Sequence, residues 1–193
     1  YYPDTNTAPC VRATNWQGMR EGTNYLIALG HRRIGFITGR RGDGITEARL
    51  HGYRSALLEA SLPFDPDLVV DGDYGQPSGF RAATTLLSLN TRPTAIVASN
   101  DLMAMGAIEA AHALGLAVPE GVSVLGFDDL PMAATTHPPL TTIRQPLYEM
   151  GRMAAQMVVA LSEKRELVSR QIELPTRLIV RASCTPPVSG PDS

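Results

Sequence analysis

Apolar positions along the chain fall into a repeating pattern that predicts alternating strands and helices. Short continuous apolar runs begin near Ile34, Leu68, Ala95 and Val122, and a turn and a stretch with helical spacing follow each of the first three. The runs begin 34, 27 and 27 residues apart, which suits a strand followed by a crossover helix. Continuous apolar runs are typical of strands covered on both faces, so the pattern predicts an α/β fold with a doubly wound parallel sheet.

The segment before the first apolar run predicts a helix. Apolar residues from Met19 to Leu29 recur at helical spacing, and Gly30 is suited to end that helix in a left-handed conformation. A helix, not a strand, is therefore expected as the first regular element. Further along, Ser78 is placed to cap the helix after the second apolar run.

The regular pattern ends after residue 129. Pro131, Pro138 and Pro139, followed by the extended stretch at 140–146, predict a crossover between two lobes. A helix over about 147–161 and strands around 172–174 and 178–180 are expected to follow. Residues 184–193 are rich in proline and serine, and we expect them to be disordered.

Composition excludes several classes of protein. The 17 Lys and Arg residues nearly balance 19 Asp and Glu residues, so the chain has no basic field to hold a phosphate backbone and should bind DNA poorly by itself. It contains no apolar stretch of membrane-spanning length and no signal peptide, which favours a cytoplasmic protein without a membrane partner. Cys10 and Cys184 have no metal-ligand spacing and are expected to be free thiols. Because residue 1 is Tyr, we expect the chain to begin partway through a larger gene product.

The predicted carboxyl ends of the strands carry polar side chains suited to a small ligand. In an open parallel sheet, the loops at these ends converge on one edge. They present Asn100, Asp128, Tyr74 and, beyond a Gly-rich loop, Arg49. Carboxylates and amides can bind vicinal hydroxyls while an aromatic ring covers an apolar face, as a sugar requires, but a nucleobase could use the same groups.

These residues also have structural interpretations. Asp73, Asp101 and Asp129 are well placed to cap helices. Arg49 could form a surface ion pair, and Tyr74 could simply cover the end of the sheet. Asn100 and Asp128 are the strongest candidates for ligand contact because each follows a strand directly.

Enzymatic motifs are incomplete, so no catalysis, cofactor or metal is expected. Gly39 and Gly44 have the spacing of a phosphate-binding loop, but Ile45 replaces the lysine that must reach the phosphates. The sequence has no Gly-x-Ser-x-Gly motif. Its histidines lack zinc-site or catalytic-triad spacing; they are His31, His51, His112 and His137.

Five sequence blocks, in order, resemble the LacI/GalR family of bacterial transcription regulators. They are residues 29–37 (LGHRRIGFI), 49–53 (RLHGY), 98–104 (ASNDLMA), 124–129 (VLGFDD) and 138–146 (PPLTTIRQP). The resemblance extends from about residue 15 to residue 183.

The resemblance implies a type I periplasmic-binding-protein-like core of two lobes, with a helix-turn-helix headpiece on a separate N-terminal segment absent here. Residues 1–33 would be the end of the N-terminal lobe and the first crossover, and 34–140 the complete C-terminal lobe. Residues 141–183 would supply the second crossover, the returning helix and the final strands.

Residue by residue, the resemblance implies that Arg49, Tyr74, Asn100, Asp128 and Gln145 contact an effector. The variable loop containing Asp43 and Ile45 would tune which effector fits. Many family members have Asp at the position of Thr14, and this departure puts an effector contact from Thr14 in doubt. Replacing Asp128 or Asn100 by Ala is expected to abolish the effector response with the fold intact.

The resemblance also implies a homodimer that binds operator DNA through its headpieces. Contacts are expected from the helix at Ser78 and from the stretches around Met105 and residues 135–137. A periplasmic sugar receptor of the same fold is the alternative, and a helix-turn-helix or a signal peptide upstream would decide between them.

Overall fold

The computed structural model describes residues 8–188, which form eight strands and five α-helices. The strands are Cys10–Ala13 (β1), Ile34–Ile37 (β2), Val69–Val70 (β3), Ala95–Ala98 (β4), Ser123–Asp128 (β5), Thr141–Arg144 (β6), Gln171–Leu174 (β7) and Arg177–Ile179 (β8). The helices are Asn15–Ala28 (α1), Gly44–Glu59 (α2), Gln76–Leu87 (α3), Asp101–Ala113 (α4) and Leu147–Ser162 (α5). Short 3-10 helices at Pro66–Leu68 and Pro131–Ala134 complete the regular structure described.

The main sheet has six strands in the order β3-β2-β4-β5-β6-β8. Neighbours from β3 to β6 pair in parallel, with Ile34 opposite Ala95 and Leu125 opposite Thr141, and β8 is antiparallel to β6. The predicted α/β fold with a mainly parallel sheet is therefore confirmed. The parallel strands place their carboxyl ends on one edge.

Helices cover both faces of this sheet, as a doubly wound fold requires. Alternate residues of β4 divide between two cores: Ile96 packs with α3 and α4, and Val97 packs with α1 and α2. On the second face the Tyr53 ring stacks on Phe36 with centroids 5.0 Å apart. Both rings are fully buried, so α2 is fixed against the sheet at Tyr53.

A smaller parallel sheet pairs β1 with β7, and α5 packs beside β1. The prediction that a helix is the first regular element is wrong, since β1 precedes α1. This strand has only four residues, and its partner, beginning with Gln171 opposite Cys10, lies far away in sequence. Because Arg12 interrupts it, β1 forms no continuous apolar run of the kind that marks β2 and β4.

One face of α5 remains apolar and accessible among the described residues. Val158 is 66% exposed, Val159 49% and Leu161 45%. A groove of about 660 Å³ runs beside them between α5 and the segment that leads to β7.

The C-terminal part of the chain differs from two sequence-based expectations. The predicted lobe boundary after residue 140 falls just before β6, whereas the main sheet continues through β6 and takes up β8. The predicted disorder from residue 184 is wrong at its start: the Thr185 N–H donates to Ser123 Oγ at 3.0 Å, and the partly buried Cys184 Sγ donates to the Val124 carbonyl at 3.2 Å. Residues 189–193 lie outside the described part.

Both cysteines are free, as predicted. Burial raises the pKa of the Cys184 thiol to about 11, so this side chain stays protonated and packs as a small apolar group. Within residues 8–188, none of the helices is long and apolar enough to cross a membrane.

Candidate functional site

Arg49 lies buried beneath the loops at the carboxyl edge of the main sheet. Its residue is only 3% exposed, and its guanidinium carbon lies 3.7 Å from the centroid of the Phe127 ring. Its Nε donates to Asn15 Oδ1 at 2.9 Å, and its Nη1 donates to the carbonyl of Ser99. The guanidinium is thus held by α1, by the residue after β4 and by β5, and its burial excludes the surface ion-pair interpretation.

Asp128 faces this guanidinium from the end of β5. Arg49 Nη2 lies 3.8 Å from Asp128 Oδ1, and Gln145 Nε2 donates to the same oxygen at 2.6 Å. Burial raises the pKa of Asp128, and the nearby Arg49 charge and the Gln145 hydrogen bond partly offset this. Gln145 therefore lies at the site, but its amide nitrogen is bound to Asp128.

Asn100 is the N-cap of α4, and both ends of its amide are used. Its Oδ1 accepts from the Met103 N–H at 3.0 Å, and its Nδ2 donates to the Tyr74 carbonyl at 2.9 Å. The helix is therefore capped by Asn100, and the capping interpretation of Asp101 does not hold. The side chain orients the Tyr74 loop against the strand end.

Tyr74 closes the side of the site nearest β2. Its hydroxyl donates to Asp43 Oδ2 at 3.0 Å and lies 2.7 Å from Thr46 Oγ1. The Tyr74 backbone has φ +72°, which is rare outside glycine. The ring fits because residue 39 is glycine: a Cβ on Gly39 would lie 2.2 Å from Tyr74 Cζ. Burial raises the Tyr74 pKa, so the hydroxyl remains a donor.

Asp43 is attached to this ring and also begins a helix. Its Oδ1 accepts from the Ile45 N–H at 2.9 Å, as the N-cap of α2. The loop predicted to tune the ligand is thereby coupled to Tyr74. The six predicted site residues form two groups of contacts at one edge of the sheet. Asp128 pairs with Arg49 and Gln145, and Tyr74 is bonded to Asn100 and Asp43.

The remaining predicted caps have other partners. Asp73 Oδ1 accepts from the Gly75 N–H at 2.8 Å in the turn before α3, whose N-cap is Gly75. Ser78 therefore does not cap this helix but lies within its first turn, where its Oγ donates to the Gly75 carbonyl. Asp129 binds two arginines instead of a helix end.

Asp101 is the most deeply buried carboxyl group near the site. It is 0% exposed; Oδ1 accepts from Thr142 Oγ1 at 2.5 Å, and Oδ2 accepts from the Leu130 N–H at 2.7 Å. Burial raises its pKa to about 6, although both hydrogen bonds act in the opposite direction. It joins α4 to the loop after β5.

Sequence reasoning missed three contributors to the site. Asn15 orients Arg49, Phe127 forms the surface beneath it, and Thr46 binds the Tyr74 hydroxyl. Asn15 lies beside Thr14, which drew attention only as a departure from the family pattern. The Ser99 hydroxyl is also buried here, without a hydrogen-bond partner in residues 8–188.

This arrangement suits recognition of a neutral polar molecule. A fixed guanidinium donates, a carboxylate accepts, and a half-buried aromatic ring stands nearby. In the described part of the chain, no group of three or more His, Cys, Asp or Glu side chains could hold a metal ion.

The structure defines an α/β protein with a candidate ligand site at the carboxyl edge of its main sheet, and comparisons with known proteins give its family. The profile of the periplasmic binding protein-like domain matches residues 23–184. The chain belongs to this family.

Two curated relatives are transcriptional repressors. The probable HTH-type repressor ExuR of Bacillus subtilis is 36% identical over 93% of this chain and 54% of its own length. The HTH-type repressor CytR of Escherichia coli K12 is 37% identical over 91% of this chain and 51% of its own length. The chain thus spans about half the length of these relatives. These relatives favour the interpretation of the chain as part of a regulator over the alternative of a periplasmic sugar receptor.

A solved structure of a regulator–sugar complex has the same fold. The transcriptional regulator CelR in complex with cellobiose superimposes with a TM-score of 0.87 at 38% identity, over 91% of this chain and 54% of that one. The predicted periplasmic-binding-protein-like architecture is confirmed by this likeness and by the matching family profile.

Proposed function

We propose that this chain is the effector-binding part of a LacI-type transcriptional repressor, and that Arg49, Tyr74, Asn100, Asp128, Gln145 and Asp43 form its side of the effector site. The observation that carries the proposal is the buried Arg49 guanidinium, which lies over the Phe127 ring and faces the Asp128 carboxylate. Burying an arginine this deeply is costly unless its donors are used. A site with fixed donors and acceptors offers a ligand preorganised partners.

A sugar is the effector class we favour. Arg49 and Asp128 supply a donor and an acceptor for adjacent hydroxyl groups, and Tyr74 supplies an aromatic surface. The cellobiose complex of CelR supports this class. A purine could stack on Tyr74 and hydrogen bond to the same side chains, so purines form the second class to test.

The regulator would act in the cytoplasm as a homodimer that binds operator DNA through headpieces, without catalytic turnover. Met105, predicted at the dimer interface, is only 8% exposed and belongs to the protein's own core. Phe80 is 37% exposed and lines a shallow groove with Gln76 and Glu109. We propose that this face of α3 and α4 contributes the dimer contact.

A thermal-shift screen of the full-length regulator tests the effector proposal. The panel contains neutral mono- and disaccharides, uronic acids, purine bases and nucleosides, since a bound ligand raises the melting temperature. Asp128→Asn should abolish any shift seen with wild type. Asp65→Asn is the matched control, because Asp65 binds Arg33 at 2.8 Å away from the site. The proposal would be contradicted if no compound raised the melting temperature, or if a compound raised it equally in wild type and in Asp128→Asn.

A further inference from the structure

Asp129 follows the site carboxylate directly and binds two arginines from different parts of the chain. Its Oδ2 accepts from Arg144 Nε at 2.5 Å, and its Oδ1 accepts from Arg181 Nη2 at 2.6 Å. The Asp129 side chain is only 5% exposed. Each carboxylate oxygen is therefore bound by a guanidinium group, and such charge-assisted bonds are strong and directional.

The two arginines attach Asp129 to both ends of β6. Arg144 is the last residue of that strand and lies immediately before the crossover to α5. Arg181 donates through Nη1 to the Leu140 carbonyl at 2.7 Å and through its backbone N–H to Thr141 Oγ1 at 2.9 Å, at the start of the strand. Asp129 thus holds the loop after β5 against the whole of β6.

Gln145 makes a parallel attachment to Asp128. Its backbone N–H donates to the Asp128 carbonyl at 3.2 Å, and its side-chain amide donates to the Asp128 carboxylate at 2.6 Å. The consecutive residues Arg144 and Gln145 in the crossover therefore hold the consecutive residues Asp129 and Asp128 at the site.

The backbone between the two aspartates shows why such attachments are needed. Asp128 has φ +129° and Asp129 has φ +60°, both in the region that L residues rarely adopt. A backbone of this kind persists only where its surroundings hold it. Its conformation determines where the Asp128 carboxylate lies relative to Arg49.

We infer that Asp129 is a positioning residue of the effector site, which holds Asp128 against the β6–α5 crossover and so couples the site to the connection with the smaller sheet. The inference rests on the proposed function. A ligand that takes the Asp128 carboxylate from Gln145 removes one attachment of the crossover. The Asp129–Arg144 ion pair then limits the movement of the crossover.

Hydrogen exchange with mass spectrometry on the full-length regulator, without ligand, tests this coupling. Asp129→Asn removes the charge but keeps the side-chain size and tolerates the left-handed backbone. The readout is the peptide with the backbone N–H groups of Leu147 and Met150, which donate to the carbonyls of Gln145 and Pro146 at 2.9 Å each. We expect these amides to exchange several-fold faster in the variant. Asp65→Asn, which removes the pair with Arg33, should leave them unchanged.

Two further variants separate positioning from general stability. Arg144→Met removes the partly exposed partner, so it should accelerate the same amides even if Asp129→Asn does not fold. Adding Gln145→Ala to Asp129→Asn should accelerate them by less than the product of the two single effects, because both act on one crossover. Unchanged exchange in Asp129→Asn and Arg144→Met, or acceleration spread evenly over the protein, would overturn the inference. The test adds no ligand, so it can fail or succeed independently of the effector screen.

Discussion

The guanidinium carbon of Arg49 lies over the ring of Phe127, 3.7 Å from its centroid, at the carboxyl edge of the main sheet. A cation held over an aromatic face keeps its charge while losing most of its hydration. Its orientation is set by Asn15 on one side and by the Ser99 carbonyl on another. This pairing gives the candidate site a rigid donor before any ligand arrives.

Arg49→Lys should therefore weaken the protein even though it conserves charge. A lysine ammonium has neither the planar face nor the fork of donors that Arg49 uses, so we expect the free energy of unfolding to fall by about 2 kcal/mol. Urea unfolding measures the change. Arg41→Lys is the control, because Arg41 is exposed and pairs with Asp71 at the surface, where the loss should stay below about 0.5 kcal/mol. Equal losses in the two variants would contradict this view of Arg49.

Asn100→Ala should destabilise the fold, contrary to the sequence-based expectation that it leaves the fold intact. It removes the N-cap of α4 and the bond to the Tyr74 carbonyl, with an expected loss of about 1–2 kcal/mol. Asn100→Ser keeps a capping acceptor and loses the amide donor to Tyr74, so its loss should be smaller. Chemical denaturation of both variants checks this order, and an alanine variant as stable as wild type would refute the capping role.

Asp101 should make stability depend on pH. Burial raises its pKa from 3.8 to about 6, so the folded state binds its proton more tightly than the unfolded state does. Its stabilising contribution is complete below about pH 4 and is lost as pH rises through 6, a difference of roughly 3 kcal/mol. The unfolding free energy of wild type relative to Asp101→Asn should fall across this range. Denaturation at closely spaced pH values measures it, and a constant difference would exclude the shifted pKa.

Two helical glycines should respond oppositely to alanine. A Cβ at Gly106 would lie 2.2 Å from the Gln76 carbonyl oxygen and 2.6 Å from the Phe80 nitrogen, so Gly106→Ala must push α3 from α4 at a cost of about 1–3 kcal/mol. A Cβ at Gly151 in α5 meets no described atom within 4 Å. Gly151→Ala should therefore stabilise α5 by roughly 0.5–1 kcal/mol. Melting temperatures of both variants test the contrast, and a stable Gly106→Ala variant would show that the helices are less closely packed.

The main sheet was predictable because each strand and its helix are neighbours in sequence. The buried run at β4 and the helical spacing that follows it identify one unit without any distant information. By contrast, β1 was missed, because it pairs only with β7 at the other end of the chain. The extension of the sheet beyond residue 140 was missed for the same reason, since β6 takes its partner β8 from beyond α5.

The site was predictable in its location but not in its bonding. The rule that ligands bind at the carboxyl ends of parallel strands, with the family resemblance, identified Arg49 and Asp128. Sequence could not decide between Asn100 and the adjacent Asp101 as the cap of α4, since either residue type suits that position. The ion pairs of Asp129 were invisible for another reason: Arg181 is 52 positions away, and only the folded sheet brings it close.

The exposed apolar face of α5 should make residues 1–193 self-associate when they are prepared alone. Val158, Val159 and Leu161 line one exposed stripe next to a groove of about 660 Å³, and water solvates such a surface poorly. In a concentrated solution two molecules would bury these faces against each other, so the sedimentation coefficient should increase with concentration. Val158→Glu should suppress that increase and leave the melting temperature almost unchanged.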